Sequence, residues 1–166
     1  MLAYDEAVAQ RFPTIRAGVI QASRLSNGPS PPELIEEYQT EQQATSERLK
    51  ATAIADLPQV AAWRRVFSGF GAKPTQYRNA AEALLRRLAK HGDIPTINSL
   101  VDIGNLISIR YAMPVAVFDQ AHIASGSTTV RFATGAELYT DLGSTDVVHP
   151  DPDEVIFVDT NDVVSA

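Results

Sequence analysis

The chain has no cysteine among its 166 residues. That excludes a disulfide framework, a thiol nucleophile, an iron–sulfur cluster and any zinc site built on thiolates, and it leaves the compartment open. Long apolar runs are missing too, since no stretch approaches the roughly eighteen residues of a membrane-spanning helix. The N-terminus, MLAYDEAVAQ, carries Asp5 and Glu6 where a secretory signal needs a basic start and an apolar run. A soluble, cytoplasmic protein without a membrane partner is the expectation. There is no GxGxxG, no GxxxxGK followed by Ser or Thr, and no GxSxG, so the usual handles for dinucleotides, nucleoside triphosphates and serine hydrolases are absent. His91, His122 and His149 stand far apart, outside any HxH or HExxH arrangement, which predicts loop residues rather than metal ligands. Asp146, Asp151, Asp153 and Glu154 lie among prolines without EF-hand spacing and predict a solvated loop. Nothing in the chain implies a metal or a cofactor.

What is present fits one folded domain over 1–166. Apolar residues make up 45% and charged residues 20%, near the averages for globular chains and far from those of disorder. The net charge of −6 opposes generic nucleic-acid binding, but it conceals segregation. Residues 1–59 carry −3, residues 60–90 carry +6 and residues 91–166 carry −9. Within the middle segment Arg64, Arg65, Lys73, Arg78, Arg86 and Arg87 form a phosphate-contacting strip if they share a face, or else a solvated helix surface.

Ile15, Val19 and Ile20 within residues 12–22 predict a strand starting just past Pro13. Residues 25–32, LSNGPSPP, read as a loop with Pro32 in the first turn of a largely exposed helix over 33–56. Asp56 before Pro58 resembles a helix cap, and Val60, Trp63 and Phe67 follow at helical spacing. Gly69, Gly71 and Pro74 interrupt the chain before the next helix, over 77–90. There Ala81, Leu84, Leu85 and Leu88 form the apolar stripe, and Arg78 and Glu82 are spaced to pair. Gly92 and Pro95 end it, and another helix follows with Ile97, Leu100, Val101, Gly104, Ile107 and Ser108 on one face. From Pro114 the runs VAVF, TTVRF, ELYT and VIFVD read as short strands. Helices before strands predict an α+β fold.

Polar residues recur within the apolar frame of 98–119: Asn98, Asp102, Asn105, Ser108 and Arg110. Buried amides and carboxylates need partners, so Asn98 reads as a helix cap and Asp102 as a tie to neighbouring backbone. Gly104 in mid-helix costs about 1 kcal/mol relative to alanine and marks a close approach by a strand, a ligand or a packed neighbour.

The run PTINSLVDIGNLISIRYAMPVAVFD, residues 95–119, resembles the helix and following strand of the B3/B4 domain, the editing module of the phenylalanyl-tRNA synthetase β subunit. KPTQYRNAAEALLRRLAKHGDIP upstream is similar to free-standing members, and GSTTVRFATGAELYTDLG and DEVIFVDTNDV continue the likeness in order. The resemblance covers about residues 60–163. It implies a three-layer α+β domain with a β-sandwich of unusual topology and N-terminal helices, lacking the C-terminal part of the family's domain. In the synthetase the domain serves as a second sieve that hydrolyses tyrosine wrongly attached to the phenylalanine tRNA, because one apolar pocket rejects an added hydroxyl poorly.

The departures bear on activity. Where the family's strand has histidine this chain has Ala116, between Pro114 and Phe118, and Gly104 stands where threonine precedes the asparagine. Asn105 keeps the asparagine, and no equivalent of the tyrosine-sensing glutamate is assignable. The resemblance thus implies aminoacyl-tRNA as partner and deacylation of mischarged tRNA in trans. Asn105 is then the catalytic group, Asn98, Asp102, Gly104, Pro114, Ala116 and Phe118 shape the pocket, and the basic strip contacts tRNA. A non-catalytic module binding an amino acid, RNA or protein, or a truncated relative with an unpaired strand edge, stays open beside it.

Overall fold

The computed structural model describes residues 1–73, 75–141 and 143–165; Pro74, one of the expected chain breakers, lies outside them. The chain forms two compact units, one from residues 22–117 and one from residues 1–21 with 118–166.

The first unit is helical. Helix α2 (Pro32–Ala51) opens on Pro32, whose missing N–H is not needed in a first turn. Its buried positions are mostly polar: Glu41, Gln42 and Thr45 join Tyr38. A 3₁₀ turn (Ile54–Asp56) leads into α3 (Pro58–Gly69). The residue at the cap position of α3 is Leu57 rather than the expected Asp56, because Asp56 is held inside the 3₁₀ turn.

Helix α4 (Ala80–His91) starts three residues later than its apolar pattern predicts, because the Asn79 side chain accepts the Glu82 N–H and sets the boundary. Gly92, with φ +82°, ends it and donates its N–H to Leu88 O. His91 therefore closes a helix instead of lying in a loop. Arg78 sits before the helix and donates to Thr75 O, so the expected Arg78–Glu82 pair does not form. Glu82 instead binds Arg64 of α3 and Arg86 one turn on.

Helix α5 (Ser99–Tyr111) runs from Asn98, which caps it as expected, to Ala112. Its fully buried side is Asp102, Leu106, Ser108 and Ile109, while Ile97 and Ile103 are exposed. The inner face is thus rotated by about one residue from the expected stripe. Tyr38, Val60, Leu85, Leu88, Ile94, Leu106, Ile109 and Ala112 make the core.

The second unit carries the strands. β1 (Leu2–Tyr4) and α1 (Glu6–Arg11, capped by Asp5) precede everything else, so a strand the sequence pattern misses opens the chain. β2 (Thr128–Phe132) lies between β1, to which it is parallel, and antiparallel β5 (Val155–Val158); β6 (Val164–Ser165) completes the order β1-β2-β5-β6. β3 (Tyr139–Thr140) and β4 (Val147–Val148) form a separate antiparallel pair. Ala133, Ile156 and Val158 form a buried cluster. Two expected strands are absent. Residues 12–22 find no ladder partner and leave Val19 and Ile20 exposed, and VAVF runs outside any sheet. The architecture is α+β.

Candidate functional site

Four of the expected site residues, Asn98, Asp102, Gly104 and Asn105, lie on or at the start of α5. Asn98 Oδ1 accepts the Val101 N–H at 3.0 Å. Asp102 is fully buried and accepts from Ile97 N at 2.9 Å and from Ser30 Oγ at 2.5 Å. The loop before α2 completes this helix start, with Ser99 N donating to Gly28 O at 2.9 Å and Leu100 N to Asn27 Oδ1 at 3.3 Å. The expected cap and backbone tie are both present, and they fix the orientation of the turn that follows.

That turn presents Gly104 and Asn105. A Cβ at Gly104 would lie 3.4 Å from Val115 Cγ1 and 3.7 Å from Val117 Cγ2, so the extended segment after α5 crosses the helix at this glycine. Of the marked residues on that segment, Pro114 is half-buried and Ala116 exposed. Phe118 belongs to the sheet unit, where its ring packs on Phe157 with centroids 5.9 Å apart.

Asn105 is half-buried. Tyr38 is fully buried, and among the described residues its Oη has no hydrogen-bond partner of good geometry. Burial pushes this hydroxyl up to about 12; the Asn105 carboxamide pulls it down, the Asp102 carboxylate raises it further and the Arg87 charge lowers it. Sequence reading treats Tyr38 only as an apolar position. The available signal is that a tyrosine, not a leucine, stands there.

The six basic residues differ in their engagements. Arg64 Nε lies 3.3 Å and Arg86 Nε 2.8 Å from the two carboxylate oxygens of buried Glu82. Arg65, Lys73, Arg78 and Arg87 are exposed. A cleft of about 450 Å³ runs over Leu49, Leu57, Leu85 and Ile109, with Arg48 and Arg110 at its edge; Asn105 does not line it. Glu41 pairs with both arginines and Glu37 with Arg110, so the edge is already neutralised. Among the described residues no three His, Cys, Asp or Glu side chains are grouped to hold a metal, and no helix is long and apolar enough to cross a membrane.

Residues 62–166 match the B3/4 domain family. Over 79 residues the chain is 40% identical to the phenylalanine–tRNA ligase beta subunit of Staphylococcus haemolyticus (strain JCSC1435), a match spanning 48% of this chain and 9% of that subunit. No solved structure matches the chain significantly. With more than half its length matched, the chain belongs to the B3/4 domain family.

Proposed function

We propose that the protein binds aminoacyl-tRNA and deacylates mischarged tRNA in trans, in the cytoplasm. The observation that carries this reading is the 40% identity to a tRNA ligase subunit within the B3/4 match. The reading takes 1–166 as one domain of the three-layer B3/B4 kind with its β-sandwich. Asn105 is the catalytic group, whose carboxamide offers both a donor and an acceptor to a water or an ester oxygen. Gly104, Pro114 and Ala116 shape the pocket, while Asn98 and Asp102 hold the helix start that orients it. An aminoacyl ester is already activated, so aligning water by backbone groups, Asn105 and the terminal ribose hydroxyl suffices without the family's histidine. Arg64, Arg65, Lys73, Arg78, Arg86 and Arg87 supply the tRNA contacts.

The test is release of labelled amino acid from tyrosyl-, alanyl- and seryl-tRNA, with enzyme well below substrate. Turnover on one member, lost in Asn105→Ala, is the expected result; an unchanged rate in that variant overturns the role of Asn105. A second reading, a non-catalytic binding module, is favoured by Ala116, which is exposed where the family pattern carries histidine. It predicts saturable binding with no turnover.

A further inference from the structure

The connection between α3 and α4, FGAKPTQYRNAA over residues 70–81, contains no acidic residue. Within it Lys73 O accepts the N–H groups of Gln76 and Tyr77, both at 2.9 Å. The second of these bonds brings Lys73 and Tyr77 together as neighbours one turn apart. Arg78 Nη2 donates to Thr75 O at 3.1 Å, which draws its guanidinium back onto the same turn. Lys73 and Arg78 are exposed, and among the described residues no carboxylate pairs with either. The first acid that follows, Glu82, is fully buried and shared between Arg64 and Arg86. The turn is therefore positive, with nothing at hand to neutralise it.

Between these two cations stands Tyr77, 55% exposed, with Gln76 Nε2 at 3.5 Å from its hydroxyl. Among the described residues no ring and no guanidinium stacks on it. A phosphate-rich partner of any kind would use the lysine and the arginine. The open ring adds a surface for a planar π-system, and in a nucleic acid only an unpaired base has its face free, since the bases of a duplex cover one another. An anionic membrane would leave the ring idle.

We propose that Tyr77 is a stacking platform for an unpaired nucleotide of RNA, with Lys73 and Arg78 holding the flanking phosphates. This rests on the reading that the basic strip contacts RNA, and it narrows that contact to a single-stranded loop or end.

The test measures binding of the whole chain to a short fluorescein-labelled single-stranded oligoribonucleotide, to the same strand annealed to its complement, and to phosphatidylglycerol vesicles. The wild type should prefer the single strand. Tyr77→Ala should raise that Kd roughly 5- to 150-fold and abolish the preference, with the log–log salt slope unchanged. Tyr77→Phe, which keeps the ring, should bind as the wild type does. Lys73→Ala and Arg78→Ala should each make the slope shallower by about 0.7. If both RNAs bind alike and Tyr77→Ala alters neither, the RNA reading stands and the stacking role falls. Binding to neither RNA overturns both. Vesicles that bind as tightly as the single strand, with no effect of Tyr77→Ala, would assign the turn to membrane charge and overturn the proposal. Because Tyr77 is exposed, its variants should melt as the wild type does, so a lost affinity reads on the contact and not on the fold.

Discussion

Gln42 and Ile94 exchange two hydrogen bonds across 52 residues of chain: Ile94 N donates to Gln42 Oε1 at 2.7 Å, and Gln42 Nε2 donates to Ile94 O at 3.1 Å. The side-chain amide serves the peptide groups of Ile94 as a neighbouring strand would, in a place where no strand is available. With Glu41 bound to Arg48 and Arg110, it explains how a helix with few apolar positions docks in a defined register.

Replacing Gln42 by leucine keeps the volume but leaves both Ile94 groups buried and unpaired. The expected loss is about 2–4 kcal/mol, read as a fall in the urea midpoint with little change in slope. Gln42→Glu keeps the acceptor for Ile94 N and is expected to lose less. Midpoints that match the wild type in both variants would show that the pair contributes nothing net.

Acid should weaken the sheet unit through Glu137. Its carboxylate is buried between β2 and β3, accepts from Thr134 N at 2.9 Å, Thr134 Oγ1 at 2.9 Å and Gly135 N at 3.0 Å, and pairs with Arg131. Burial pushes its pKa up, but the Thr134 amide and the Arg131 guanidinium outweigh it and hold the group well below its ordinary 4.5. The folded pKa is therefore the lower one. The stabilisation is fully present above the unfolded value and is lost as pH falls below it toward the folded pKa. Thermal midpoints of the wild type should drop with acidification across that window, and Glu137→Gln should start lower and flatten the dependence. A variant that follows the wild-type curve in parallel would remove Glu137 as its source.

The arginines separate into two experimental classes. Arg64→Ala or Arg86→Ala deprives buried Glu82 of one of two cationic partners, so either should lower the melting temperature before any effect on RNA is measured. Exposed Arg65 and Arg87 should leave stability within about 0.5 kcal/mol. If both contact phosphates, their joint replacement by alanine makes the log–log salt dependence of tRNA binding shallower by roughly 1.4–1.8. An unchanged slope would take these two residues out of the interface.

The parts of the structure legible in sequence are those set by local chemistry. Asn98 caps α5, Gly92 stops α4, and TTVRF and VIFV pair as strands because each carries its signal within a few residues. Long-range partners decide the remainder. VAVF has strand composition, but its valines close over Gly104 instead of joining a ladder. β1 is three residues long and acquires strand character from Thr128–Val130, far along the chain. Glu82 turns to Arg64 and Arg86 because Asn79 starts the helix after Arg78. Asn105 and Gly104 are visible as a motif, whereas nothing local to Tyr38 announces that its hydroxyl is fully buried.

The loop that completes the start of α5 also bears on the order of folding. Ser99 N and Leu100 N find their acceptors in Gly28 and Asn27, about seventy residues earlier in the chain. A nascent α5 can close its internal turns alone, but its first turn stays open to water until that loop arrives, which places this step among the late, high-separation contacts. In the native protein the Ser99 amide is accordingly expected to exchange with solvent at the pace of loop undocking, so that one resonance would report on a segment that carries no helix or strand of its own.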